Sequence, residues 1–65
     1  MTSAQVMTTQ ENIDFNINTI KRFSRLYAES DSLGEKEAFI DYIHSAQCDL
    51  VRNYGFTWSQ VEQIA

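Results

Sequence analysis

A hydroxyl residue followed three positions later by Glu or Gln stands just ahead of an apolar-periodic run at Thr8 with Glu11, at Ser32 with Glu35 and at Thr57 with Gln60. Each pair has the spacing at which two side chains close a capping box around the first turn of a helix. The chain has no proline to break a helix begun at any of these starts, and only two glycines. The pattern therefore predicts three helices, over about 8–29, 33–54 and from 57 onward, and so an all-α, three-helix domain with two long amphipathic helices and a short C-terminal one. Residues 1–7 carry neither charge nor period and read as a flexible tail, which leaves 8–65 as a single helical domain.

Apolar periodicity assigns faces to these helices. At about 100° per residue, Ile13, Ile17, Ile20, Phe23 and Tyr27 form one stripe of the first helix, whereas Phe15 and Leu26 project nearly opposite it. In the second helix Phe39, Ile43, Ala46 and Leu50 repeat at helical spacing with Ile40 and Tyr54 beside them, a seam suited to another helix. Gly55 can supply the left-handed residue that ends it. Phe56 before the Thr57 cap and Val61 after it have the spacing of a hydrophobic staple, and Trp58, Val61, Ile64 and Ala65 are expected to fold back on the first two helices.

A chain of 65 residues buries only about 60% of the surface it exposes when unfolded, so its core needs reinforcement. One cysteine and one histidine provide neither a disulfide nor the roughly four ligands of a structural metal. Self-association remains. The expected assembly is a homo-oligomer, a dimer first among the choices, whose interface uses Phe15 and Leu26 of the first helix together with Ala38 and Tyr42 of the second.

The formal charge of −4 repels phosphate backbones in general and weighs against nonspecific nucleic-acid binding. No apolar run approaches the roughly 20 residues of a membrane span, and MTSAQVMTT lacks both the basic start and the apolar stretch of a secretory leader. The cytoplasm is the expected compartment, and no membrane partner is expected.

Three constellations carry candidate chemistry. Counted from Gln47 on a helix-turn-helix template, Leu50, Tyr54, Gly55, Phe56, Val61 and Ile64 fall where that motif asks for apolar residues and a turn glycine, while Val51 is bulky where a small residue is wanted. A DNA reader of this kind would use Thr57, Ser59, Gln60 and Gln63 at base edges, but the only side-chain charge from Thr57 onward is Glu62, so packing is the preferred meaning of the pattern. Lys21, Arg22 and Arg25 form the one basic cluster, a contact patch for an acidic surface or a plainly solvated face. Glu37, Asp41, His44 and Cys48 share a helical face, yet a straight helix presents them in a row and no second element closes a tetrahedral site, so neither metal nor other cofactor is expected. A lone His and a lone Cys with no glycine-rich phosphate loop likewise predict a non-enzyme.

The run IKRFSRLYAESDSLGEKEAFIDYIHSAQCDLVRNYGFTW, from Ile20 to Trp58, resembles the small accessory proteins that lambdoid bacteriophages encode between their exonuclease and excisionase genes. The resemblance implies an early phage protein made in the bacterial cytoplasm that influences lytic against lysogenic development through host or phage protein partners. It transfers no functional residues, because the positions that carry it are core positions.

Overall fold

The computed structural model describes residues 9–64 as three helices: α1 over Thr9–Glu29, α2 over Leu33–Tyr54 and α3 over Trp58–Glu62. The predicted all-α architecture with its two long helices and one short one is thus observed, with both turns where the cap signals put them. Thr8, the tail before it and Ala65 lie outside the described residues.

Local chemistry accounts for each boundary. At Thr57 both halves of the capping box form: its hydroxyl accepts from the Gln60 amide at 3.1 Å, and its own amide donates to Gln60 Oε1 at 2.9 Å. Ser32 caps α2 differently. Its hydroxyl accepts from the Glu35 amide at 3.3 Å, but the Glu35 carboxylate takes the Ser30 hydroxyl at 2.9 Å, and the Ser32 amide donates to that same hydroxyl at 3.1 Å. Ser30 therefore relays the return half of the box, a variation on the expected pairing of Ser32 with Glu35. Gly55 ends α2 at φ 76°, and the Gly55 and Phe56 amides both donate to the Leu50 carbonyl. Only a residue without a Cβ adopts that left-handed conformation at little cost.

α1 and α2 form a helical hairpin packed along its length, whereas α3 approaches the backbone of α2 and not that of α1. Ile20 from α1, Ala46 and Leu50 from α2 and Val61 from α3 make the buried core, with Ile13, Ile17, Ile43, Val51, Tyr54, Phe56 and Ile64 packed around it. Phe56 and Val61 thus both join the core, as the staple spacing predicts. The molecule is flat, 45 × 28 × 14 Å along its principal axes. With helices about 10 Å across, its shortest dimension holds little more than one layer, where a self-sufficient domain usually stacks two.

Candidate interaction surface

The docking of α1 is set by a polar pair that the apolar pattern does not announce. Asn16, 8% exposed, donates from Nδ2 to Asp49 Oδ2 of α2 at 2.7 Å, and Asn53 donates to the other oxygen of the same carboxylate. No buried side-chain polar atom among the described residues lacks a partner. A buried amide bonded across a helix interface fixes register, because sliding the helices would strand both groups in an apolar surrounding. Asn16 stands among Ile13, Ile17 and Ile20, and a polar residue inside an apolar stripe is the one sequence signal that marks it.

With Asn16 and Ile20 turned to α2, Phe15 lies beside the buried face rather than behind it. This corrects the expectation that Phe15 projects away from Phe23: both line one groove. That groove, of about 400 Å³, runs between the helices and is bounded by Phe15, Thr19 and Phe23 on α1 and by Tyr42, Ser45 and Ala46 on α2, with the Asn16–Asp49 pair at its floor. Phe23 stacks on Tyr42 with ring centroids 4.9 Å apart and meets Phe39 at 5.7 Å. Even so, Phe15 remains 62% exposed and Tyr42 55% exposed. Of the other residues expected at an interface, Ala38 is exposed and Leu26 is half-buried.

Lys21, Arg22 and Arg25 are placed on the outer side of α1, where Lys21 and Arg22 are exposed and Arg25 is exposed as well. Arg22 borders a second depression of about 310 Å³ that shares Phe15, Thr19 and Phe23 with the groove, and its guanidinium lies 6.0 Å from the Phe23 ring centre, the outer limit of a cation–π contact. Arg22 is therefore the member of the basic cluster that borders the aromatic groove.

The opposite flank of α2 is apolar as well. Leu33 is 80% exposed, Ile40 and Trp58 are exposed, and the Trp58 indole stacks on the His44 ring at 6.2 Å and 17°. Trp58 thus lies on α2 through its contact with His44, while only Val61 of α3 is buried and Ile64 partly so. Cys48 Sγ is 3.7 Å from His44 Nε2. Glu37 and Asp41 lie exposed on the same helix, and among the described residues no group of three or more ligand-type side chains converges on a point. The depression of about 460 Å³ at His44, Ser45, Cys48, Asp49, Arg52 and Asn53 is lined by α2 alone.

Thr57, Ser59, Gln60 and Gln63 are exposed at α3. The carboxamide oxygen of Gln60 is held by the Thr57 amide, and α3 spans five residues, about 7.5 Å of helix. No helix of the described chain is long and apolar enough to cross a membrane. No protein-family model matches the chain, and no curated protein or solved structure matches it.

Proposed function

We propose that this chain is a small, non-enzymatic interaction protein that self-associates and presents a second apolar surface to a protein partner. The carrying observation is the exposure of large apolar side chains on two flanks of one helical layer: Phe15 and Tyr42 on one, Leu33, Ile40 and Trp58 on the other. Isolated apolar residues on a surface need no explanation, but clusters on opposed flanks of a thin domain are what a doubly contacted protein presents. The grooves are open and shallow, and the one that holds His44, Cys48 and Asp49 is lined by a single helix, which favours binding over catalysis.

The phage accessory class supplies the context in which such a protein acts, with a host or phage protein as the second partner in the bacterial cytoplasm and lytic against lysogenic development as the process affected. The test is affinity capture of the tagged chain from bacterial cells, wild type against Ile40→Asp with Trp58→Ala. A defined protein retained by the wild type and lost from the double variant is the expected result. The competing regulator would instead bind a specific DNA sequence, weaken steeply as salt rises and lose its preference in Ser59→Ala with Gln63→Ala. That outcome would replace the interaction reading.

A further inference from the structure

The aromatic groove has charged flanks whose signs differ between its two helices. Because Phe23 stacks on Tyr42, their chain neighbours Arg22 and Asp41 stand at the same height along the hairpin. A step of about 100° from each ring turns Arg22 toward the outer edge of α1 and Asp41 toward the outer edge of α2. The floor carries the Asp49 carboxylate, whose two oxygens accept from the uncharged amides of Asn16 and Asn53. The face is thus an aromatic strip with the Arg22 cation at the edge of one helix and the Asp41 anion at matching height along the other.

The geometry points to a second copy of this chain as the occupant of the groove, docked face to face about a two-fold axis parallel to the hairpin, so that α1 of each copy packs on α2 of the other. This rests on the proposed interaction function and names the partner of one of its two surfaces. The two-fold leaves heights unchanged, so Arg22 meets the partner's Asp41 and Asp41 meets the partner's Arg22. The alternative face-to-face symmetry, with α1 on α1, would set the Arg22 edges of both copies against each other and leave Asp41 without a cation opposite it. Charge therefore selects between the two arrangements as like-charge juxtaposition does at other interfaces.

Area agrees with this occupant. α1 and α2 contain 21 and 22 residues, hence about 30 Å of helix each, and a hairpin about 20 Å wide offers a face of roughly 600 Å², near the scale of a standard interface, about 800 Å² of accessible surface per partner. The product is a four-helix bundle with antiparallel neighbours throughout, which provides the second layer that the single chain lacks. An isologous contact also covers Phe15 and Tyr42 of both copies at once.

Sedimentation equilibrium of the full chain at physiological salt, from micromolar to submillimolar concentration, tests the pairing. The wild type is expected to sediment as a dimer, Phe15→Ser as a monomer, and Arg22→Asp or Asp41→Arg alone with a dissociation constant raised about tenfold or more. Combining Arg22→Asp with Asp41→Arg is expected to restore the wild-type constant. Both charged residues are exposed in the single chain, so unchanged helical circular dichroism separates loss of pairing from loss of fold. A wild type that stays monomeric overturns the dimer. Single reversals without effect, or a double reversal that fails to rescue, overturn the α1-on-α2 arrangement. The partner capture that depends on Ile40 and Trp58 touches none of these positions, so failure here and failure of the interaction reading remain distinguishable.

Discussion

The two ends of the α1–α2 hairpin solve the burial problem differently. At the end where α3 docks, Ile20, Leu50 and Val61 are fully buried and a ring of partly covered aliphatic and aromatic residues surrounds them. Toward the α1–α2 turn, the contacts are aromatic and one-sided: Phe23 against Phe39 and Tyr42, and the Lys36 ammonium 4.7 Å from the centre of the Tyr27 ring. Nothing between Lys21 and Ser45 is fully buried. The difference lies in the number of elements. Three helices can enclose a side chain, whereas two helices side by side can only cover one flank of it, and α3 is too short to extend its protection along the hairpin.

Mutations should therefore act unequally at the two ends, and the strongest test of the contrast is Leu50→Ala. Leu50 is fully buried where all three helices meet and its carbonyl also receives the Gly55 and Phe56 amides. The expected loss is about 3 kcal/mol in urea unfolding, the usual cost of a buried Leu→Ala cavity. For so small a domain that consumes much of the total stability. A loss under about 1 kcal/mol would show that the α3 end is not the stability centre.

Asn16→Ala comes next. It removes the donor from Asp49 Oδ2, while Asn53 still serves the other oxygen of that half-buried carboxylate, so the cost is that of one hydrogen bond to a charged group, about 2 kcal/mol. Replacing Asn16 and Asp49 together by Leu should cost less than the single change, because no charge is then stranded, but it should relax the register of the hairpin. Chemical-shift dispersion in the double variant reads that loss of uniqueness. A double variant that is both stable and sharply dispersed would show that packing of Ile20 and Leu50 alone fixes the register.

How much of the fold was legible in the sequence depends on the range of each interaction. Capping boxes, the Gly55 turn and the Phe56–Val61 staple act within a few residues, so boundaries and local order could be read directly. The Ser30 relay at Ser32 could not, since the Ser30 hydroxyl comes between Glu35 and the Ser32 amide only through the backbone geometry of the turn. Faces were legible only approximately: periodicity finds the apolar stripe of α1, but its centre is set by the Asn16–Asp49 bond, which joins residues far apart in the chain. That bond placed Phe15 in the same groove as Phe23, which a wheel weighted by hydrophobicity alone would not do. The stacking of Phe23 on Tyr42 and of Trp58 on His44 depends on hairpin register in the same way.

The caps at the α2–α3 turn are expected to matter moderately. Thr57→Ala removes the hydroxyl that accepts from the Gln60 amide and should cost about 1 kcal/mol. Gly55→Ala should cost a similar amount for a different reason. A Cβ there meets no atom within 4 Å, so the whole penalty is the φ of 76°; the left-handed region costs an L-residue about 1 kcal/mol. Gly55→Val, branched at Cβ, should cost more than Gly55→Ala. Equal urea midpoints for Gly55→Val and wild type would remove the left-handed turn from the account and with it the geometry that seats Val61.

The smallest expected effect is at the opposite end, and it is the sharpest probe of the contrast. Leu33 begins α2 with 80% of its surface exposed, so Leu33→Ser should change the stability of the isolated chain by no more than about 0.5 kcal/mol, as surface substitutions away from special features do. Two considerations oppose each other at this site. Serine is a slightly weaker helix former than leucine, but the first turn of a helix tolerates it well, and little apolar area is withdrawn from contact. The measurement should be made at low and at high protein concentration. A near-zero effect at both concentrations means that Leu33 stays uncovered when the chain self-associates, and remains free for a different protein. A cost of about 1 kcal/mol or more that appears only at high concentration would place Leu33 inside the homotypic contact, because stability gained by association rises with concentration. In that case the second copy would cover the flank of α2 that carries Leu33 and Ile40, and the aromatic groove on the other flank would be the surface left open.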